Sequence, residues 1–399
     1  MNTYFLPANI LLPKSDFQKW TVVACDQYTS EPNYWKEVEQ FVGDTPSALN
    51  LILPEVYLTD DNKTRIDNIN KTMANYLENG VFEEIENSFV YVERGVTGGK
   101  IRKGIVGLID LEDYSYKSGS KALIRATEAT VIERIPPRVA IRKDALLEMP
   151  HIMLLIDDPK RTVIEPLSEK TQEFTKLYDF DLMQNSGHLK GFSVDNNTAD
   201  KIQKNLNALV ENNEDKLLFA VGDGNHSLAT AKECYNLNKT EESRYALVEI
   251  VNIHDTSLEF EPIYRVVFDI NPKELINDFV NACGGLYDGA DAQKFACVYG
   301  KEVVTVSVKP TGKLPISTLQ KWLDDYVKNN TKAKVDYIHG EDVVYSLAKQ
   351  PNTIGFIFEG MQKNELFDAI KQDGSLPRKT FSMGNASDKR FYMEARKIK

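Results

Sequence analysis

The chain has 399 residues, 42% apolar and 27% charged, with 48 Lys and Arg against 59 Asp and Glu and a net charge of −11. This profile excludes a fibrous or disordered protein, and the acidic balance would repel nucleic acid as a partner. No apolar run approaches the roughly 20 residues that span a bilayer, so a membrane is not an expected partner either.

The length points to two or three subdomains packed around one site. Cys25, Cys234, Cys283 and Cys297 are widely spaced, without a C-x-x-C pair, and read as reduced packing residues of a cytoplasmic protein. The first residues, Met1 to Pro7, lack the basic region of a signal peptide. The oligomeric state is left open.

From the amino terminus the pattern predicts a strand over Trp20 to Ala24, a long helix over Asp61 to Asn79 and a strand over Ser88 to Glu93. Val96-Thr97-Gly98-Gly99-Lys100 reads as a hairpin turn, because adjacent glycines take the positive φ it requires; it joins Phe89–Val92 to Arg102–Ile109. Further strands are expected over Ile152 to Ile156, Leu217 to Val221, Tyr245 to Ile253 and Ile263 to Phe268, with helices over Ala199 to Asn212 and Leu228 to Asn236.

Beyond these come a helix over Pro272 to Cys283, a strand over Glu302 to Val308, a helix over Ser317 to Lys328 and a strand over Thr353 to Phe358. The stretch from Gln372 to Lys389 reads as too irregular for core. The expected organisation is a mixed α/β (α+β) protein: an N-terminal α/β segment over 1–99, a central α/β core over 100–270 and a smaller C-terminal α/β lobe over 271–399.

The sharpest chemical signal is the apolar run Leu217 to Val221, then Gly222-Asp223-Gly224-Asn225-His226-Ser227, then an Ala-rich helix. A strand-to-helix turn of small and polar residues presents helix N-terminal amides and a partial positive charge, a ready seat for phosphate. Gly222 and Gly224 allow close approach of a phosphate; Asn225, His226 and Ser227 supply donors; Asp223 can hold a magnesium ion. The plain alternative is a connection in which Asn225 or Ser227 caps the helix. The dinucleotide fingerprint is a third reading: it requires a βαβ unit and an acid about 20 residues on, for which Glu241 or Glu242 would serve. A G-x-x-x-x-G-K-S/T phosphate loop is absent, Gly95 to Lys100 lacking both length and hydroxyl.

The second constellation runs from Arg125 through Thr127, Glu128, Thr130, Glu133 and Arg138 to Arg142 and Lys143. It reads either as a polar site that grips phosphate through arginine or as a solvated helical face. Glu128 and Glu133 are the candidate general bases. Asp157-Asp158 ends an apolar strand, and His188, His254 and His339 have no ligand spacing.

Four motifs in order, Thr127-Glu128-Ala129-Thr130, Asp223-Gly224-Asn225-His226, Tyr264-Arg265-Val266-Val267 and Pro377-Arg378-Lys379-Thr380-Phe381, resemble those of the family known as domain of unknown function 1015. Asn225 and Ser227 depart from the histidine and arginine usual at those positions. The D-G-x-H turn is also similar to the phosphate-binding turn of the ParB and sulfiredoxin superfamily, which includes free serine kinases. That resemblance implies a central ParB/sulfiredoxin-like mixed sheet. It also implies phosphoryl transfer from ATP, ADP or pyrophosphate with Mg2+ to a small hydroxylated metabolite such as free serine. Asp223, His226 and Glu128 would then be catalytic; Gly222, Gly224, Asn225, Ser227, Thr127, Thr130, Arg138 and Arg265 would bind the phosphate ligand; Asp223 would hold the metal. A non-catalytic sensor of a nucleotide or phosphometabolite, or an NAD(P)-dependent oxidoreductase, are the alternatives.

Overall fold

Side-chain alternation decides where the longest strands go. In Lys100–Asp110, Ile105 and Ile109 enter one core and Val106 and Leu108 another, and in Tyr245–Asn252 every residue after Tyr245 is buried. Strands buried on both faces belong in the middle of a covered sheet. The structure, a computed structural model that describes residues 3–59, 61–130, 132–211 and 214–399, shows them there. It is a mixed α/β protein whose chain gathers into two compact units.

The first unit comprises Met1–Ala126, Thr130–Leu258 and Gly384–Lys399. Its nine-stranded sheet runs, in spatial order, Tyr114–Ser115, Ile124–Arg125, Phe219–Asp223, Met153–Ile156, Tyr245–Asn252, Lys100–Asp110, Val90–Val96, His188–Ser193 and Thr175–Asp181. The expected hairpin is present, with Gly98 and Gly99 at φ 85° and 74°. Helices Asn196–Glu211 and Asn225–Leu237 bury Leu206 and Leu228 with Leu154, Phe219 and Ile250 on one face. The predicted end of the first of these helices, Asn212, lies outside the described residues. On the other face, amino-terminal residues such as Trp20 and Trp35 pack with Val92, Val106 and Leu247 and with Tyr392 and Met393 of the carboxy-terminal segment.

The predicted helix over Asp61 to Asn79 is Lys63–Glu78. The expected strand at Trp20 to Ala24 is not formed. Trp20 ends the short helix Phe17–Trp20, and of the following residues Val23 makes a single bridge, to Arg390. The apolarity of that run reflects burial, Val22, Val23 and Ala24 all being inaccessible. The opening strand is instead Ala8–Pro13, paired antiparallel with Phe82–Ser88.

The second unit comprises Thr127–Ala129 and Glu259–Met383. Its sheet runs Glu302–Val308, Gln293–Tyr299, Thr353–Phe358, Phe260–Phe268, Lys334–His339, and Phe381–Met383 pairs with the first residues of Phe260–Phe268. The strand expected at Ile263 to Phe268 therefore pairs within this sheet. Phe279, from helix Pro272–Ala282, packs edge-on against Phe295 and Phe356. The stretch expected to be too irregular for core contributes Leu376, Thr380 and Phe381 to the interior. The last two follow Lys379, which stands at φ 52°.

Candidate functional site

The turn after Phe219–Asp223 owes its shape to two local features. Pairing with Met153–Ile156 is regular at Ala220 and Val221 and then slips, so that Asp223 rather than Gly222 lies opposite Met153. Because strand side chains alternate, this one-residue bulge puts Asp223 on the face where Gly222 would have been. Gly224 then caps helix Asn225–Leu237 in the left-handed region, φ 84° and ψ 26°. A Cβ at Gly224 would meet Ile152 Cγ1 at 3.0 Å and Cα at 3.1 Å, so both conformation and packing require glycine. Ile152 is itself pinned, its carbonyl accepting from the Tyr392 hydroxyl at 2.9 Å.

Asp223 Oδ1 accepts from the Gly224 amide at 2.9 Å. Gly224 offers no side-chain cap to the first helical turn, and the helix dipole places partial positive charge at this end. Helix Ile135–Arg142 brings Arg138 to the same place, joined to Glu55 in an ion pair. Burial, together with the guanidinium groups of Arg138 and Arg134, pushes the His226 imidazole down to about 4, against the pull of Asp26. His226 is therefore neutral at physiological pH, in a field already positive.

Sequence reasoning missed the other two members of this group. The His151 Nε2 and Ser227 Oγ atoms are hydrogen-bonded at 3.0 Å, and His151 Nδ1 is buried with no partner among the described residues. Loss of solvent around Asp26 disfavours its charge, but His151, Gln27 and Lys389 outweigh this and hold the carboxyl below its usual value. Asp26 thus lies within electrostatic reach of both histidines. Burial pushes the neighbouring Cys25 thiol far up, which rules it out as a nucleophile at neutral pH. Asp26 follows the buried run Val22 to Ala24 and the half-buried Cys25, a place where the chain leaves the core; that is the sequence signal that marks it.

The structure brings Gly222, Asp223, Gly224, Asn225, His226 and Ser227 together at the turn, with Arg138 alongside. Thr130 lies in the same unit, its hydroxyl buried without a partner among the described residues. Thr127, Glu128 and Arg265 belong to the second unit. There Glu128 bridges Leu376, and Thr127 accepts from the Leu376 amide at 2.7 Å. Arg265 is wholly buried and stacked 4.5 Å from the Tyr337 ring centre. Its Nε donates to Gln320, Nη1 to the carbonyls of Ile263 and Tyr264, and Nη2 to those of Arg378 and Lys379. A guanidinium has five N–H donors, and all five are occupied, so the expected phosphate contact from Arg265 is replaced by a structural role.

The charged run from Arg125 to Lys143 is not a solvated helical face. Arg125 pairs with Asp215, Arg142 with Glu148 and Arg138 with Glu55, all from other elements, while Glu133 is exposed. Among the described residues the turn does not open a dinucleotide-type βαβ unit. Tyr245–Asn252 runs parallel to Met153–Ile156, which is antiparallel to Phe219–Asp223, so no parallel crossover follows the turn. Among the described residues no three His, Cys, Asp or Glu side chains gather as a metal cage, and no helix is long and apolar enough to cross a membrane.

Fold and site together define a mixed α/β protein with a D-G-x-H turn at a strand-to-helix junction. The model of the family described as Protein of unknown function (DUF1015) matches residues 5–382, and the chain belongs to that family. No protein of curated function matches it. Among solved structures, a free serine kinase variant in complex with AMP is similar at TM-score 0.43 and 12% identity, over 74% of this chain and 93% of that one. A conserved hypothetical protein from Pyrococcus furiosus reaches 0.38 and 11%, over 73% and 94%. SbnI with a C-terminal truncation, from Staphylococcus aureus, reaches 0.36 and 10%, over 70% and 82%.

Proposed function

We propose that the chain is a phosphotransferase that moves a phosphoryl group from a nucleotide or pyrophosphate to the hydroxyl of a small metabolite, free serine being the first to test. The observation that carries this reading is the convergence at one turn of a helix N-terminus, Arg134, Arg138 and a neutral His226 with the carboxylates of Asp223 and Asp26. Positive potential and amides suit the donor's phosphates. His226, uncharged, donates a hydrogen bond to a phosphate oxygen without first losing a proton. Asp26 takes the acceptor's proton as its oxygen attacks phosphorus and the bond to the leaving phosphate breaks. Asp26 stands here in place of Glu128 because it belongs to the same unit as the turn. Mg2+ would be held by Asp223, and when bound would neutralise phosphate charge; one carboxylate plus phosphate oxygens is an ordinary magnesium environment.

A non-catalytic sensor of the same ligands is favoured by one observation: Ser227, where arginine is usual in the family, is tied to His151 rather than offered as a cationic contact.

The test is thermal stabilisation by ATP, ADP and pyrophosphate, each with and without Mg2+, in the wild type and in His226→Ala. A magnesium-dependent rise in melting temperature that the substitution removes supports the phosphate turn, and transfer of radiolabel to serine then separates transferase from sensor. No rise with any donor returns the turn to a plain connection.

A further inference from the structure

Beside the turn, the face of the large sheet that carries Asp223 also carries a buried cluster of charges. Arg94 and Arg102 are direct cross-strand partners, so their side chains lie on one face, where guanidinium groups repel one another. They are 2% and 8% exposed. Across the next strand pair Glu249, opposite Val106, reaches the same face and is fully buried. Its Oε2 accepts from Arg102 Nη2 at 3.0 Å. Gly104 leaves the room for it: a Cβ there would lie 2.2 Å from Glu249 Oε1. Tyr392 lies under Arg94, ring centre to guanidinium 5.7 Å, and Tyr178 donates to Glu394 at 2.6 Å. Asp223 is within electrostatic reach of both Arg102 and Tyr392.

The cluster is incompletely paired. Arg94 Nε and Nη1, Arg102 Nε and Glu249 Oε1 are all buried without a hydrogen-bond partner among the described residues. Arg94 makes no ion pair among them, although each unmade bond to a buried charged group is costly. Three unsatisfied guanidinium donors on adjacent strands ask for an oxyanion, and a lone carboxylate oxygen beside them asks for a cationic donor.

We propose that Arg94 and Arg102 form an oxyanion seat that holds the carboxylate of the phosphoryl acceptor, with Glu249 Oε1 receiving a neighbouring ammonium group. The ligand class is a small hydroxylated amino acid. The seat lies on the face that carries Asp223, with Arg102 within electrostatic reach of that carboxylate, so the acceptor would be held on the same side of the sheet as the turn. This assignment rests on the phosphotransferase reading for the word acceptor, whereas the seat itself is tested by binding alone.

Calorimetry on the full chain with saturating Mg-ADP would compare L-serine, L-threonine and D-glycerate with ethanolamine, which lacks the carboxylate, and with inorganic phosphate. The expected result is binding of the amino acids, weaker binding of glycerate and none of ethanolamine. Arg94→Gln should weaken serine binding by about 10-fold or more, as loss of a charge-assisted contact does, with Mg-ADP affinity unchanged. Serine binding unaltered in Arg94→Gln, ethanolamine binding as tightly as serine in the wild type, binding of phosphate alone, or no acid bound at millimolar concentration would each overturn the seat. Failure of Mg-ADP to bind the wild type would instead count against the phosphate turn. The ethanolamine comparison needs no substitution, so a poorly folded variant does not blunt the test.

Discussion

Arg265 and Arg94 are both buried arginines on sheet strands, and they are finished in opposite ways. Every N–H of Arg265 has an acceptor in the second unit, and its ring contact with Tyr337 completes the enclosure. Burial brings its guanidinium down to about 10, so it stays charged at neutral pH and acts as a fixed cross-link between strand Phe260–Phe268 and the Arg378–Lys379 backbone. Arg94 has orphaned donors, no ion pair among the described residues, and a second guanidinium opposite it. The lesson is that burial of a charge alone does not separate architecture from function. The unmet hydrogen bonds do, because a native fold rarely leaves them without a reason.

The largest expected effect breaks this comparison directly. Arg265→Met should destabilise the second unit by about 3 kcal/mol or more, since it strands several buried carbonyls and Gln320 at once. Hydrogen exchange at the amides of Phe260–Phe268 against chemical denaturation reads it out. Arg94→Met should be near neutral, since the guanidinium it removes has two buried donors without hydrogen-bond partners among the described residues and meets Glu394 only at electrostatic range. Equal losses at both positions would show that Arg94 is as architectural as Arg265.

Next in size is the turn. Gly224→Ala forces an alanine to φ 84° and presses its Cβ onto Ile152. The left-handed conformation costs about 1–2 kcal/mol, and the Asp223 carboxylate moves with the bulge. The expected outcome is a modest drop in melting temperature with loss of Mg-ATP stabilisation. Retained nucleotide binding would mean that the turn is only a connection.

How much of this was legible in the sequence depends on whether the determinants were local. The turn was, because a glycine on either side of Asp223, between an apolar run and an Ala-rich helix, is a local signature of strand, bend and helix start. The hairpin at Gly98-Gly99 was legible for the same reason. Glu128 was read with its sequence neighbours, yet a backbone bridge to Leu376 places it and Thr127 in the other unit while Arg138 goes to the turn. Nothing within a 20-residue window encodes which distant strand will claim a segment. Asp26, His151 and Tyr392 meet the turn from far along the chain, so only tertiary structure assembles them. Two traces of the buried cluster were nonetheless present: a glutamate in the middle of Leu247-Val248-Glu249-Ile250-Val251, and a glycine at 104 inside a long strand. Each breaks a strand rule, and rule-breaking of that kind marks sites.

The last comparison is in pH, where the turn and the buried cluster should pull in opposite directions. His226 titrates at 6.5 unfolded and about 4 folded. Its contribution to stability is whole above 6.5 and is lost as pH falls toward 4, because protons favour the unfolded chain there. Burial outweighs the Tyr178 hydrogen bond and raises Glu394 from 4.5 to about 7. Its contribution is whole below 4.5 and is lost as pH rises through 7. Each slope is bounded by one proton, about 1.4 kcal/mol per pH unit. In urea denaturation between those limits, His226→Gln should therefore flatten the acid side and Glu394→Gln the neutral side, the latter becoming more stable than wild type above pH 7. A bound phosphate donor adds negative charge at the turn, so it should raise the His226 value, seen as a shift of its imidazole NMR titration, while leaving the Glu394 slope largely in place. If the donor instead altered the Glu394 slope and left His226 unmoved, the anion would be sitting on Arg94 and Arg102, and the assignments of the two sites would have to be exchanged.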